Sequence, residues 1–498
     1  MSTPSTEPYA GDLPEPAPNG AGETAPEPGR FGLLITLLVA FTALPTVALA
    51  VPNTVSYVVP QAVSGLGLSV AQAADLVRAN GLTLPTLLLA VPICGVLARR
   101  FSAWVILLAG LGCILGGEVI AEVASSVSLV GVARGAQGLG AGAVLPSTLV
   151  VVWRRAGRAL SAVWAGIFAA SLLVAMPLAL YRVPRAAAEW RAVFQPYPWL
   201  IGAGLAATGL FGIFRTRLIV GEPPALRHTE RTQLLLPGAP AAGFAFLAVV
   251  TTYGWSPGAQ LVVAGIGLAA LLGLALVGTS DATTGSPLGC AVVMVSTGLL
   301  TMPVATPLAG LMSTREGPQA ISLLPFAAGA AAALAGALLV GLSGARKGGG
   351  KGAMNEEAGP RQEAGVSTVL GGHGLAIVAL LILLTTDADS SPWLLCIPLV
   401  ALGAGIGMAL AASLRSAELG SALFGLALCF PAVLSGFLVI GPLQVAKVNA
   451  VIRVGGGMQN AVYALTAGFR FWLMVAGVLA VLLASAAALA SRRRRSEV

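Results

Sequence analysis

Inside the long apolar runs of this 498-residue chain ionisable side chains are few, and each marks a place where chemistry could be done. Arg134 and Gln137 stand three apart in one run, Glu118 and Glu122 four apart in another, and Asp75 and Arg78 three apart at the edge of a third. Residues at those spacings share a helix face, so each pair aims two polar groups the same way. A charge at the centre of a hydrocarbon layer costs roughly 2.5–3.5 kcal/mol on insertion scales, and it persists where a cavity or a partner compensates it. If Glu118 lies on a helix running outward and Arg134 on the next one running back, the two reach similar depth. A carboxyl desolvated there could take up and release protons. The non-functional alternatives are an arginine that snorkels to the surface about 9 Å away by helical rise, and glutamates that are merely solvated near the rim.

Other chemical patterns fail on context. Gly254-Trp255-Ser256-Pro257-Gly258 has the spacing of a hydrolase nucleophile elbow, but Pro257 has no N–H for an oxyanion hole and the run joins two apolar segments. Gly138-x-Gly140-x-x-Ala143 resembles a dinucleotide fingerprint, yet it follows no strand. Small residues inside an apolar run instead let helix backbones approach closely. Gly348–Lys351 lacks the leading glycine and the following Ser/Thr of a phosphate loop. His228 and His373 have no Cys, Asp, Glu or His partner at ligand spacing, so no metal site is expected. The five cysteines lie in apolar runs and behave as small hydrophobes.

The elements that must position these residues follow from composition. Hydrophobic residues make up 56% of the chain and charged ones 10%, against about 25% charged in soluble domains; the mean hydropathy is +0.88. A soluble enzyme, a nucleic-acid binder and a disulfide scaffold are excluded. Apolar runs of about 20 residues, the length that crosses a bilayer, predict fourteen transmembrane helices: 31–51, 76–98, 103–124, 127–153, 159–180, 197–217, 234–253, 259–279, 288–312, 320–343, 369–386, 392–413, 420–445 and 469–491. Residues 1–30 read as a disordered cytoplasmic tail without the basic start of a signal peptide, and 492–498 as a basic cytoplasmic tail meeting anionic headgroups. With the amino terminus inside, 19 of the 28 Lys and Arg residues fall on the inner side, which satisfies the positive-inside rule and places both termini in the cytoplasm.

The run Arg134-Gly135-Ala136-Gln137-Gly138-Leu139-Gly140 in the fourth span is similar to motif B of the major facilitator superfamily. Trp190-Arg191-Ala192-Val193-Phe194 before span 6 and Tyr253-Gly254-Trp255-Ser256-Pro257 between spans 7 and 8 resemble segments of that family's fourteen-helix drug:proton antiporter branch, as do Pro287-Leu288 and the Tyr463–Phe471 stretch. The resemblance implies an all-α polytopic fold of two six-helix bundles, 31–217 and 286–491, with a linker and central helix pair at 218–285 and a cytoplasmic linker at 344–368. It also implies that Arg134 faces a central cavity and participates in proton coupling. Departures are equally plain. Motif A appears as Gly95-Val96-Leu97-Ala98-Arg99-Arg100, with Arg99 where the family has the aspartate of a gating charge relay; of motif C only Pro177 remains; and span 1 lacks the family's aspartate.

Prolines interrupt span 1 and the loop after it (Pro45, Pro52) and span 9 (Pro303, Pro307), the first helices of the two expected halves. Correspondingly placed breaks point to a midplane substrate site; kinks that serve packing alone are the alternative. The second half has no acidic residue at membrane depth, so its cavity should be mostly apolar. The expected protein is a monomeric exporter of small lipophilic or amphiphilic molecules in the plasma or inner membrane, working by alternating access without a cofactor, with a proton as the coupling ion if there is one. Arg134→Ala should abolish export and leave the protein folded. An uncoupled uniporter or importer of the same fold is one alternative, and a transport-inactive sensor is another. An intramembrane enzyme is disfavoured because no nucleophile–base set or metal-ligand set occurs at usable spacing.

Overall fold

In lipid every backbone N–H and C=O must find a partner within the chain, and a helix does this segment by segment. The computed structural model describes residues 30–156, 158–185, 187–194, 197–218, 228–250, 255–280, 286, 288–346, 358–387, 390–455 and 457–496. Among them the regular structure is helical. The first group comprises α1 (Arg30–Ala50), α2 (Val59–Leu66), α3 (Val70–Asn80), α4 (Thr83–Arg100), α5 (Ala103–Glu122), α6 (Val127–Ala156), α7 (Arg158–Tyr181) and α8 (Pro198–Leu218). A short α9 (His228–Leu235) leads into α10 (Gly238–Val250) and α11 (Pro257–Ser280). The last group is α12 (Cys290–Leu300), α13 (Met302–Glu316), α14 (Leu324–Arg346), α15 (Ala358–Thr385), α16 (Pro392–Ser416), α17 (Leu419–Arg453) and α18 (Met458–Ser496). Two 3-10 segments, Val55–Tyr57 and Ala187–Phe194, complete the list.

Among the described residues thirteen helical stretches are long and apolar enough to cross a membrane, and a shorter apolar helix, Pro198–Phe214, falls at the sixth expected span. The chain is an all-α polytopic membrane protein. Several boundaries differ from expectation. The second expected span is α3 plus α4, broken at 81–82. Helix α15 begins inside the expected 344–368 linker, and α18 continues through most of the expected 492–498 tail. Hydropathy finds only the part of a helix that lies in hydrocarbon, and helix-forming residues carry the element past that boundary. Gly455, with φ of +73°, stands just beyond the end of α17, in the left-handed conformation common after a helix terminus. The expected tail at 1–29, parts of both expected linkers, Tyr253-Gly254 and Pro287 lie outside the described residues.

A repeat invisible in the hydropathy pattern organises the bundle. Helix α6 packs on α4 and α5, and α16 packs on α14 and α15; α1 meets α7 and α8 as α12 meets α17 and α18. At the centre of each set lies a glycine triplet of alternating aim. Cβ atoms on Gly138 and Gly142 would strike α4, and one on Gly140 would strike the Gly110 carbonyl of α5. In the second half Gly403 and Gly407 likewise face α14, and Gly405 faces the Gly372 carbonyl of α15. Two six-helix sets are thus built on one plan. Helices α10 and α11 are peripheral, with 28% of the apolar 18-residue stretch of each span buried, against 94% of the corresponding stretch in α17.

Candidate functional site

Arg134 is 2% exposed, so it does not snorkel. Its guanidinium is occupied by three acceptors: Nε donates to the Asn80 carbonyl at 3.2 Å, one terminal nitrogen to the Pro52 carbonyl at 3.2 Å and the other to Gln137 Oε1 at 2.7 Å. Each acceptor has a local origin. Helix α1 ends at Ala50 before Pro52, which frees the Pro52 carbonyl, and Asn80 is the last residue of α3. The two segments are also tied directly, since Asn80 Nδ2 donates to Asn53 Oδ1, which also accepts from the Val55 N–H. Gln137 then passes the connection on, its Nε2 donating to the Phe194 carbonyl at 3.0 Å. Arg134 thereby binds the end of α1, the end of α3 and the 3-10 segment before α8 to α6.

That 3-10 segment carries the Trp-Arg-x-x-Phe pattern. Trp190 and Phe194 are buried and their rings meet edge to face at 5.9 Å. The Arg191 guanidinium stacks 4.8 Å above Trp190 and donates to the Ala124 carbonyl at 2.9 Å. The pattern's function within the molecule is to fix the Phe194 carbonyl where Gln137 reaches it.

Beyond Gln137 opens a small cavity of about 290 Å³, counted to its open side, lined by Thr46 and Ala50 of α1, Glu118 of α5, Gln137, Phe194 and Tyr197 among others. Glu118 is buried, 6% exposed, whereas Glu122 at the end of α5 is exposed. The two share a helix but not an environment. Gln137 is common to both sides, bonding Arg134 and facing the space that Glu118 lines. Gly117 makes this possible, because a Cβ there would overlap the Ala133 carbonyl and Gln137. Tyr197 donates to the Leu178 carbonyl at 3.2 Å.

The remaining expected residues lie elsewhere. Asp75 and Arg78 pair at 2.6 Å on the surface of α3. Pro45 and Pro307 sit inside continuous helices, as does Pro177 in α7, while Pro52 follows the end of α1 and Pro303 is the second residue of α13, which begins right after the non-helical Thr301. In the first turn a proline's missing N–H costs nothing. The break of span 9 is therefore at Thr301. Arg99 lies at the end of α4 and pairs at 3.0 Å with Glu230 of α9, the two side chains 6% and 19% exposed. Arg100 follows it and stacks over Phe101 at 5.6 Å. Nothing approaches a Cβ at Gly95 closer than 3.9 Å.

At the end of the bundle away from Arg99, the two halves touch. The Tyr57 hydroxyl donates to Ser313 Oγ at 2.6 Å, Ser313 in turn donating to the Gly310 carbonyl. Gln319 accepts from Arg185 and donates to the Val183 carbonyl. Asn53, Asn80, Tyr57, Ser313 and Glu230 are polar residues the sequence pattern passed over; for Asn53 the available signal was an amide beside the proline break at Pro52.

No family model matches the chain, and no curated protein matches it. Among solved structures, a bacterial homologue of the human drug peptide transporters PepT1 and PepT2 is similar, with 15% identity, a TM-score of 0.49, and coverage of 93% of this chain and 98% of that one.

Proposed function

We propose that this chain is a secondary transporter of the major facilitator type, moving small lipophilic or amphiphilic organic molecules out of the cell by alternating access. The observation that carries the reading is the repeated six-helix plan joined to a buried arginine, Arg134, whose partners are the broken ends of α1 and α3. A charge so placed makes the conformation of those ends depend on α6, the helix that also presents Gln137 to the Glu118 cavity. Glu118 is the proton carrier of this reading in the first half. Export of a panel of lipophilic compounds from cells, with and without the protonmotive force, tests it. Export that collapses with the force supports a coupled exporter, and no flux of any compound refutes transport.

A facilitated uniporter or importer is the second reading. It is favoured by Arg99 standing where the family's gating aspartate would be and by a first span without a carboxylate. Flux that ignores an imposed pH gradient would select it.

A further inference from the structure

His373 is 2% exposed in the middle of α15. Its Nδ1 lies 2.9 Å from the Val369 carbonyl and its Nε2 3.0 Å from Ser296 Oγ on α12. A carbonyl only accepts, so Nδ1 carries a hydrogen. Ser296 has one hydroxyl hydrogen and two neighbours for it, Nε2 and the Val292 carbonyl at 3.0 Å. In the neutral ring Ser296 donates to Nε2. In the protonated ring Nε2 donates to Ser296 Oγ, and the hydroxyl turns to the Val292 carbonyl. Every polar atom is satisfied in both states, and they differ by one proton and one hydroxyl rotation.

The surroundings give this exchange a path and a lever. A cavity of about 210 Å³ to its open side adjoins the ring, lined by Val293, Ser296, Thr297 and Leu300 of α12 and by Gly405 and Ile406 of α16 among others. No other lining residue is titratable or charged. Helices α16 and α18 pack on α15 and α12 reaches it through Ser296; α12 carries Cys290 a turn and a half from Ser296, α16 carries Cys396 and Arg415 towards its two ends, and α18 carries Tyr463, Arg470, which Asp387 holds, and Arg492–Arg495 at its far end. Ser296 stands five residues before Thr301, where the span breaks, and Thr301 donates to the Thr297 carbonyl at 2.7 Å. In the glycine register that relates the halves, Gly372 corresponds to Gly110, so His373 stands where the first half has Leu111. That place is on the same helix face as Glu118, two turns away.

We propose that His373 and Ser296 form a proton-binding site in the second half, which takes up a proton from water in the adjoining cavity and transmits its charge state to the break at Thr301. The proton adds to Nε2 and leaves by the same cavity, with no other bond made or broken. The coupling to transport rests on the transporter reading above; the site does not.

The chain has two histidines, which makes the site directly observable. In protein labelled with 15N-histidine and held in lipid nanodiscs, with His228→Gln removing the other signal, the neutral ring should carry its proton on Nδ1, the less common tautomer in water. Acidification from pH 9 to pH 4 should add a second N–H at Nε2, and Ser296→Ala should displace that titration. A ring protonated on Nε2 alone, or one that gains no second N–H while the protein stays folded, overturns the proposal. In proteoliposomes loaded with ethidium, His373→Gln should lose pH-driven accumulation that the unmodified protein performs. A variant that still accumulates ethidium overturns the coupling. An unmodified protein that moves no ethidium under a gradient also overturns the coupling as proposed, while the resonance titration still decides the proton site.

Discussion

The arginine that the sequence marks as a charge exposed to a cavity is, in the folded chain, a brace. Three buried acceptors depend on it, and leaving a buried acceptor without a donor costs about 1–3 kcal/mol each. Arg134→Ala should therefore lower the thermal unfolding temperature in detergent as well as abolish the proposed export, contrary to the expectation of a folded, silent variant. Arg134→Lys should fall between, because an ammonium does not reproduce the planar fork that reaches Pro52 and Asn80 together. An alanine variant as stable as the unmodified protein would show that the carbonyls are otherwise satisfied. Gln137→Leu keeps the volume and removes the link to Phe194, so a smaller loss, about 1–2 kcal/mol, is expected in the same measurement. Arg134 and Gln137 were legible in the sequence because a charge in an apolar run has few explanations. Their acceptors were not, because a backbone carbonyl has no residue type, and only the fold decides that those of residues 52, 80 and 194 converge.

Between elements, the glycines that resemble a family motif divide by what they touch. A side chain on Gly138 would occupy the place of the Thr83 carbonyl and the Thr86 hydroxyl, whereas a Cβ on Gly95 makes only an ordinary contact with Pro146 at 3.9 Å. Gly138→Leu should separate α4 from α6 and cost more than the 1–3 kcal/mol typical of overpacking, read as loss of folded protein after membrane extraction. Gly95→Ala should be silent in the same assay, and a silent Gly138→Leu would refute the close packing. Arg99 shows the reverse case, a departure from the motif that the fold compensates. Its partner is Glu230 on α9, a helix that also contacts α17, so the linker helix clasps the first half at the Arg99 end. Removing one member of a largely buried pair costs up to about 3–5 kcal/mol. Glu230→Gln should loosen α9, measured as faster trypsin cleavage around Arg231; unchanged cleavage would mean the ion pair holds nothing. Helix type and thirteen of the fourteen expected spans were legible from hydropathy alone, the sixth falling on the shorter apolar helix Pro198–Phe214. The break at Thr301 was legible only to within a few residues, because Pro303 disfavours the helix before it without fixing which residue leaves it.

Across the whole molecule, the alternating access proposed above requires the two repeated halves to separate at one end while they meet at the other, so on that reading the contacts that close an end set how often it opens. At the end away from Arg99 the closure includes the Tyr57–Ser313 hydrogen bond between the first and second halves. Tyr57→Phe removes that bond and little else. A net loss of about 0.5–1.5 kcal/mol shifts a two-state equilibrium roughly two- to tenfold toward the open form. Val58, one residue further and 2% exposed, reports the change when replaced by cysteine in a background whose five native cysteines are removed. A membrane-impermeant maleimide should label Val58→Cys two- to tenfold faster when Tyr57→Phe is also present. Labelling from the outside of intact cells would in addition test the orientation, for which the positive-inside count is an expectation that this end lies outside the cytoplasm. Equal labelling rates with and without the tyrosine hydroxyl would show that the halves are held by apolar packing of α7 on α13, α14 and α16, and that the hydrogen bond follows closure without controlling it.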